Sequence, residues 1–428
     1  MNQYDRIVTE WMDFHIPPLF PREIPFDRNI LDKFIVAIIG PRRAGKTYFM
    51  YQIINELLVS GVGREEILYI NLEDDRLFPL GPEGMDGILD SFIELYGEHE
   101  NAYLFLDEIQ NLTAWQSWLK RTHALRPDIK IVISGSSARL LSREITTGLR
   151  GRVFSVEVLP VSFREYVVYK GADPDKIAAR PHGENARKAR RLFREYLKKG
   201  GYPAIAFSDL SEGAAREILQ NYYETMILRD VMERHGVRET AMLRNLSKIL
   251  MASVGSEFSY TRLYNNLRAV GFSLSKSTVI EYVSHLEEAY LFFVLNRWRS
   301  SEKKRQVSPM KPYVLDTALL DALLYSGSED RGKRLENIVF MELMRRKKKV
   351  FYHRNGRECD FLIYEGSGIT SAIQVTERLE ESDTREIEGL KEAMKAYSLR
   401  KGLILTENEF DEIGDLKVIP VWLWALTE

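Results

Sequence analysis

The feature that most constrains this chain is an apolar run that stops abruptly at a glycine-rich loop. The segment KFIVAIIGPRRAGKTYFM, Lys33 to Met50, contains the pattern G-x-x-x-x-G-K-[ST] between a strand-like run and a helical stretch. Glycines let successive backbone N–H groups face a phosphate, and the positive end of the following helix adds to the attraction. The segment therefore predicts a strand, a phosphate-binding loop and a helix.

The loop residues have separate predicted tasks. Lys46 would reach the β- and γ-phosphates of a nucleotide, and the Thr47 hydroxyl would ligate Mg²⁺. An ordinary strand–helix turn is the alternative, which the flanking strand and helix disfavour. The predicted cofactors are ATP and Mg²⁺. The predicted nucleotide-binding residues are Gly40, Pro41, Arg42, Arg43, Ala44, Gly45, Lys46, Thr47 and Tyr48.

Polar residues end two further strand-like runs. YLFLDE closes on Asp107, which would hold Mg²⁺, and on Glu108, which would polarise the attacking water as general base. IVISGSS offers Ser134 or Ser136 as a sensor of the γ-phosphate, with a capped turn as the alternative. This pairing of a phosphate loop with strand-end acids predicts hydrolysis of the nucleotide.

Other candidates surround this predicted site. INLEDDRL ends in Asn71, Glu73 and Asp74, which would orient Glu108 or touch Mg²⁺ unless they form a solvated acidic loop. TTGLRGRVF supplies Arg150 and Arg152, and a guanidinium is well suited to neutralise a transferring phosphoryl group. Either arginine would act in cis as a sensor or in trans as a finger, or be a surface charge.

Continuous apolar runs alternate with helical patterns from about residue 33 to 160, which predicts an α/β domain with a parallel sheet covered on both faces. The net charge of −2 argues against a wholly basic nucleic-acid wrapper. Cys359 is the only cysteine, so no intramolecular disulfide forms, which suits a cytoplasmic location. We expect no membrane span, because no long uncharged apolar stretch occurs.

The segments GPRRAGKT, INLEDDRL, YLFLDEIQNLTAWQSWLK, ISGSSARLL and GLRGRVFSVEVLPVSFREY resemble archaeal and bacterial AAA+-type ATPases that carry a C-terminal domain of unknown function. GGYPAI and YYETMILRDV resemble the middle of the same family. The resemblance covers nearly the whole chain. It implies a P-loop core of the additional-strand type, a winged helix and a restriction-endonuclease-like tail, and it implies no established substrate.

Three helical stretches between Thr240 and Leu291 have helix-turn-helix spacing, with Gly271 ending one helix and Ser275 or Ser277 capping the next. The last helix would read DNA, and the tip RSSEKKRQ of the following hairpin would be a wing against phosphates. Packing or oligomerisation is the alternative use. His285 stands alone there, and no cluster of histidine or cysteine predicts zinc. The DNA-contact candidates are Lys276, Ser277, Thr278, Tyr282, Lys303, Lys304 and Arg305.

The tail follows the order of a restriction-type nuclease with two parts changed. Glu336 and Asp360 match the first two acids, but Gln374 stands in place of the second strand acid and Thr376 in place of the lysine. Glutamine carries no charge and threonine cannot replace a lysine cation, so cleavage is not expected. The tail would instead bind DNA or a protein partner.

The predicted domains are an arm (1–32), a P-loop ATPase core (33–170), a helical linker or lid (171–235), a winged helix (236–331) and a restriction-endonuclease-like domain (332–428). The predicted function is an Mg²⁺-dependent ATPase acting on or recruited to DNA, with a possible homo-oligomer. The alternatives are an ATP-controlled switch whose tail binds a partner, and an ATP-regulated nuclease.

Overall fold

The computed structural model describes residues 3–135, 149, 151–324, 331–379 and 384–427. The chain divides into two compact units, Met1–Leu159 and Pro160–Glu428. The division falls near residue 160, where the apolar alternation of the sequence ends. The five finer domain boundaries given above stay predictions.

The first unit is built on a five-stranded parallel sheet. Its strands are β1 (Ile35–Ile39), β2 (Ile67–Asn71), β3 (Ala102–Asp107), β4 (Ile129–Gly135) and β5 (Val153–Glu157). Their spatial order is β2-β3-β4-β1-β5, and every pairing is parallel. Strand β4 thus lies between β1 and β3, so the predicted additional-strand sheet is confirmed.

Helices cover this sheet because its central strands are largely apolar and buried. The helices of the unit are α1 (Gln3–Asp13), α2 (Lys46–Val59), α3 (Pro82–Tyr96) and α4 (Trp115–Leu125). All five residues of β1 are buried, and the Trp11 indole of α1 donates a hydrogen bond of 2.6 Å to the backbone oxygen of Ile67. The chain's first residues are therefore packed onto the sheet, whereas the sequence predicted only a lead-in arm.

The second unit begins with helices. They are α5 (Phe163–Tyr169), α6 (Pro174–Ala179), α7 (Gly183–Lys199), α8 (Pro203–Ala206) and α9 (Glu212–Thr225), which continues as a π-helix over Met226–Glu233. The predicted trio follows as α10 (Thr240–Ala252), α11 (Tyr260–Ala269) and α12 (Lys276–Glu288). Ser275 caps α12 by accepting a hydrogen bond from the backbone N–H of Thr278, as the sequence predicted.

A hairpin of β6 (Phe292–Asn296) and β7 (Met310–Val314) follows the trio, and its strands pair antiparallel. Its tip, which the sequence predicted to be a wing against phosphates, contains a short helix, α13 (Glu302–Gln306). Two helices, α14 (Ala318–Leu323) and α15 (Arg331–Arg345), lead into the C-terminal sheet.

The C-terminal sheet has six strands of mixed direction. They are β8 (Lys349–Arg354), β9 (Glu358–Glu365), β10 (Gly368–Val375), β11 (Gly402–Thr406), β12 (Asp411–Ile413) and β13 (Leu416–Pro420), in the order β12-β13-β11-β10-β9-β8. Helices α16 (Thr384–Ala396) and α17 (Val421–Trp424) complete the unit. The predicted C-terminal α/β domain is therefore confirmed as a sheet with helices. Across the described ranges, none of the helices combines the length and the apolar character needed to cross a bilayer.

Candidate functional site

The loop after β1 has a backbone that requires glycine at two points. Gly40 has a φ of +146°, and a Cβ there would lie 2.1 Å from the backbone oxygen of Val158. Gly45 has a φ of +98° and directly precedes α2, so a side chain at this residue would be strained. The two glycines of the sequence pattern are thus explained by close approach and by left-handed backbone.

Lys46 and Thr47 open α2 with different partners. The Lys46 ammonium donates to the backbone oxygens of Gly40 at 3.2 Å and Pro41 at 3.0 Å, and its residue is 5% exposed. The Thr47 hydroxyl donates to Asp107 Oδ2 at 2.7 Å. The Lys46 ammonium therefore lies against the backbone of the loop, and the Thr47 hydroxyl lies against the end of β3.

Asp107 is the centre of the site. Besides Thr47, its carboxylate accepts from the Tyr69 hydroxyl at 2.9 Å and from the Ser134 hydroxyl. These donors come from α2, β2 and β4, because the carboxyl ends of parallel strands meet at one edge of the sheet. The structure thus brings together Thr47, Asp107 and Ser134, three of the predicted site residues.

Glu108 is held in an uncommon conformation. Its φ is +55°, which is rare for a non-glycine residue, and its backbone N–H donates to Ser134 Oγ at 3.0 Å. Its carboxylate accepts from Gln110 Nε2 at 2.6 Å. Strain of this kind concentrates at functional sites, where the surroundings fix it. The backbone and the side chain of Glu108 are therefore both positioned by the site.

Of the acids at the end of β2, Glu73 belongs to the site and Asp74 does not. Burial, followed by the charge of Glu108, raises the pKa of Glu73, whereas Arg42 opposes that shift. Asp74 instead caps the turn at Asp75–Leu77 and pairs with Arg76 at 2.5 Å. The sequence predicted that this segment orients Glu108, touches Mg²⁺ or forms a solvated acidic loop. Asp74 belongs to the turn, and a role of Glu73 beside Glu108 stays a prediction.

Two neighbours of the site were missed by sequence reasoning. Tyr69 lies within the apolar run of β2, where an aromatic residue is common in any strand and gives no sign of a functional role. Arg22 is 8% exposed and donates to the backbone oxygens of Ala44 at 3.0 Å and Leu159 at 2.8 Å, so it supports the loop from outside. Its position in the proline-rich arm, far from the loop in sequence, gave no signal of that contact.

Of the predicted arginines, Arg152 is described, and it stands apart from the loop. The backbone oxygen of Arg152 accepts from Ile35 N at 2.9 Å, at the start of β1, whereas the phosphate loop follows the end of β1. Five strand residues separate the two edges by about 17 Å, which exceeds the reach of a side chain. The placement of Arg152 therefore does not support a cis sensor. Arg150 and Ser136 lie outside the described residues.

The nuclease-like residues of the second unit do converge, with an unexpected lysine among them. Lys311 of β7 is fully buried and contacts Glu358 at 2.7 Å, Glu336 at 2.9 Å and Asp360 at 3.0 Å. The Gln374 amide donates to Asp360 Oδ2 at 2.7 Å. The cation that the sequence found missing at Thr376 is thus supplied from a different strand.

Electrostatics at this cluster follow from burial and mutual charge. Burial by itself would lower the pKa of Lys311, but the carboxylates of Glu336 and Asp360 raise it well above its usual value. Burial, followed by the charge of Asp360, raises the pKa of Glu336 to about 7. Thr376 takes no part, because its hydroxyl donates to the backbone oxygen of Arg378 at 3.0 Å. A cleft of about 330 Å³ opens beside Glu358, Asp360 and Gln374.

The candidate DNA-contact residues are only partly exposed. Lys276, Ser277, Lys303 and Lys304 are exposed, whereas Thr278 and Tyr282 are half-buried. The hydroxyls of Ser277 and Thr278 lie 2.6 Å and 2.8 Å from Ser275 Oγ, so both serve the helix cap. Arg305 packs 5.4 Å over the Trp298 ring and pairs with Glu302 at 3.2 Å, so its guanidinium has partners within the chain, and its contact with DNA stays a prediction.

The loop, the strand-end acids and the order of the sheet define a P-loop ATPase fold of the AAA type. Comparison with protein families agrees: residues 32–167 match an AAA domain. Residues 190–330 match the domain of unknown function DUF8612, and residues 331–424 match the domain of unknown function DUF4143. The recognised resemblance is confirmed.

Relatives of similar length share nearly the whole chain. An uncharacterized protein of Methanocaldococcus jannaschii is 33% identical over 417 residues, which cover 93% of this chain and 90% of the relative. An uncharacterized protein of Haemophilus influenzae is 29% identical over 399 residues, covering 92% and 94%. The chain therefore belongs to the family of AAA-type P-loop ATPases that carry C-terminal domains of unknown function.

Solved structures match more distantly. The Aeropyrum pernix ORC1 protein in complex with DNA is 14% identical with a TM-score of 0.30, covering 76% of this chain and 97% of that chain. AMPPCP-bound DnaA from Aquifex aeolicus is 14% identical with a TM-score of 0.28, covering 67% and 89%. Scores this low support no inference about function.

Proposed function

We propose that this chain is an Mg²⁺-dependent ATPase that binds ATP at the loop Gly40–Thr47 and hydrolyses it at the neighbouring strand ends. The observation that carries the proposal is the hydrogen-bonded group around Asp107. Thr47, Tyr69 and Ser134 all donate to that one carboxylate. The site is thereby assembled from the start of α2 and three neighbouring strands, β2, β3 and β4.

The donor set fits a magnesium ion. The Thr47 hydroxyl oxygen and an Asp107 carboxylate oxygen lie 2.7 Å apart, and both are the hard oxygen ligands that Mg²⁺ prefers. When bound, Mg²⁺ neutralises charge on the phosphates. These two side chains would hold the ion, Asp107 through water, while Tyr69 and Ser134 keep the carboxylate in place.

Lys46 supplies the mobile positive charge. Its two carbonyl partners, Gly40 and Pro41, are neutral and belong to the loop itself. A charged phosphate oxygen is a stronger acceptor than a carbonyl, so the ammonium gains by moving toward ATP. The backbone N–H groups at the start of α2, directly after Gly45, would face the phosphates.

Glu108 is the proposed general base. Its carboxylate is oriented by Gln110 and its backbone by Ser134, so a water held beside the γ-phosphate would find an acceptor already in position. Glu73 and Arg42 lie close enough to alter the charge around Glu108. Hydrolysis then needs no rearrangement of the strand ends.

Action on DNA is proposed for the second unit. Helices α10 to α12 followed by the β6–β7 hairpin have the element order of a winged helix, and Lys276, Lys303 and Lys304 are exposed on it. We expect the double variant Lys303→Ala/Lys304→Ala to weaken DNA binding and to flatten its salt dependence. A matched control with the same loss of charge is Lys120→Ala/Lys391→Ala, which removes exposed lysines elsewhere.

An ATP-controlled switch is the second candidate, favoured by the Lys311 cluster. Three carboxylates hold this buried lysine in an internal ion-pair network, and the cleft of about 330 Å³ beside them would receive a partner. ATP turnover across single-stranded, duplex and branched DNA separates the two candidates. Marked stimulation supports action on DNA, and slow turnover that no DNA changes supports the switch.

Cleavage by the tail has its own test. We expect plasmid DNA to stay intact in Mg²⁺ or Mn²⁺, because Lys311 already pairs with Glu336 and Asp360, the acids that would hold the ion. Nicking that disappears in Asp360→Ala would instead establish an ATP-regulated nuclease.

A role for Arg152 in trans requires a homo-oligomer. We expect Arg152→Ala to lower turnover by about 10²-fold when the chains associate. Mixing Arg152→Ala with Lys46→Ala protein would then restore part of the activity, because each variant supplies the group that the other lacks. No recovery on mixing would leave Arg152 as a surface charge.

A further inference from the structure

Two helical segments of the second unit bring together three potential metal ligands. His235 follows the π-helix Met226–Glu233 and directly precedes Gly236, which has a φ of +65°. His285 and Glu288 lie one turn apart on α12. Fifty positions separate the two histidines in the sequence, which is why the sequence showed His285 as a lone residue. A π-helix is itself uncommon and is often found at functional sites.

The ligand atoms that face one another are buried and unpaired. His235 Nε2, His285 Nδ1 and Glu288 Oε2 are all shielded from solvent and have no hydrogen-bond partner. His235 Nε2 lies 3.4 Å from Glu288 Oε2, and His285 Nδ1 lies 3.9 Å from the same oxygen. All three atoms fall within 4.8 Å of one another. Buried polar atoms are nearly always paired, so three orphans at one point require an explanation.

We propose that His235, His285 and Glu288 bind a divalent transition-metal ion of the zinc class. Bonds of about 2.0–2.2 Å in a tetrahedral arrangement place ligand atoms roughly 3.3–3.6 Å apart, which is close to the separations observed. Two imidazoles and one carboxylate are a typical three-ligand set for such an ion, with a fourth position left for water. The three side chains are only 10–13% exposed, so a bound ion would be largely shielded from solvent.

The second nitrogen of His285 is also accounted for. His285 Nε2 lies 3.7 Å from a carboxylate oxygen of Glu281, one turn earlier on α12. A carboxylate behind a histidine fixes the tautomer that leaves the other nitrogen free for a metal. The two imidazole rings stack with centroids 3.7 Å apart, so coordination would turn them until both lone pairs converge.

The charge state of the pair suits metal binding. Burial, and then the neighbouring His285, lower the pKa of His235, so its ring is neutral at neutral pH and keeps a lone pair. Arg234 acts in the same direction, whereas Glu288 and Glu281 oppose the shift. A bound cation would offset the energetic cost of burying the Glu288 carboxylate, and it would connect the π-helical segment to α12.

The test is zinc binding to the full chain, freed of any histidine tag and of nucleotide. We expect one Zn²⁺ per chain by elemental analysis after dialysis, and visible absorption bands of nitrogen-coordinated Co²⁺ on substitution. His235→Gln, His285→Gln and Glu288→Gln should each lower Zn²⁺ affinity at least 10²-fold, as measured with a competing chelator. Glu281→Gln should lower it by about 10-fold to 100-fold, since it acts through His285. The control is His15→Gln, which changes an exposed histidine and should leave affinity unchanged.

Wild-type protein that takes up no stoichiometric Zn²⁺ or Co²⁺ overturns the proposal, even if a variant fails to fold. Binding that survives both His235→Gln and His285→Gln overturns it as well, because the ion then lies elsewhere. A rise in the melting temperature on adding Zn²⁺ that disappears in His285→Gln supports it, since an ion that binds only the folded chain stabilises that chain.

Discussion

Lys46 of the first unit and Lys311 of the second are both buried, but their partners differ in charge. Lys46 donates to two neutral backbone oxygens, those of Gly40 and Pro41. Lys311 contacts three carboxylates, those of Glu336, Glu358 and Asp360, at 2.7–3.0 Å. Burial raises the pKa of Glu73 and the charge of Lys46 opposes that rise, but the two carbonyls that accept from Lys46 are neutral, so a charged phosphate oxygen would be a stronger acceptor. The charge of Lys311 is already neutralised inside the unit.

This difference separates a binding lysine from a structural one. Moving an ammonium from carbonyls to a phosphate gains a charge-assisted hydrogen bond. Moving it away from three buried carboxylates leaves those carboxylates uncompensated, which is strongly unfavourable. Burial and residue type are therefore insufficient to identify a functional lysine, and the charge of its partners decides. The same substitution at both positions tests this directly.

The largest effect is expected for Lys46→Met. Loss of the ammonium should abolish most ATP affinity, while the unfolding transition changes less than in Lys311→Met, because the carbonyl acceptors of Gly40 and Pro41 are neutral. Calorimetric titration with Mg²⁺-ATP measures the first quantity, and urea denaturation measures the second. Unaltered ATP affinity of this variant would show that Lys46 does not bind the nucleotide.

Lys311→Met should show the opposite result. We expect a loss of about 3–5 kcal/mol in the apparent free energy of unfolding at pH 7.5, because three carboxylates lose their buried counter-charge. ATP affinity should stay unchanged. Lys348→Met is the matched control, since Lys348 pairs with Glu365 at the surface and should matter little. A stable Lys311→Met protein would contradict the structural role.

Glu336→Gln should alter the pH dependence of stability. The pKa of Glu336 is raised to about 7 by burial and by Asp360, so the folded chain keeps a proton that the unfolded chain loses above about 4.5. This contribution to stability is present below about pH 4.5 and is lost as pH rises to about 7. Urea midpoints across that window should fall less in Glu336→Gln than in the wild type. Parallel profiles would rule out Glu336 as the titrating group.

The smallest effect is expected for Tyr69→Phe. The change removes one donor from Asp107 and leaves those of Thr47 and Ser134. One lost hydrogen bond costs about 1 kcal/mol, so turnover should fall less than about 10-fold. Steady-state turnover checks this, and a loss as large as that of Lys46→Met would show that Tyr69 does more than hold the carboxylate.

The sequence predicted the parts of the site that are coded locally. Gly40, Lys46 and Thr47 form one short pattern, and Asp107 and Glu108 lie at the end of one apolar strand. Each motif can therefore be recognised without knowledge of the fold. The five-stranded parallel sheet followed from the same continuous apolar runs. The local sequence pattern and the topology of the sheet were therefore sufficient to predict which residues meet at this edge of the first unit.

What the sequence could not show depends on contacts between distant segments. Arg22, Tyr69 and Lys311 acquire their partners only when separate elements pack together, and nothing in their immediate neighbours signals it. His235 and His285 meet for the same reason. The hairpin tip was also predicted incompletely, because Glu302–Gln306 is a short helix that packs Arg305 over Trp298.

The most direct test of the central claim is Glu108→Gln, measured for both ATP affinity and turnover. The claim is that the loop binds the nucleotide and that the strand ends, with Glu108 as base, hydrolyse it. For Glu108→Gln we expect an unchanged dissociation constant for Mg²⁺-ATP and a turnover at least about 10²-fold below that of the wild type. A Glu108→Gln protein that hydrolyses ATP at the normal rate would contradict it.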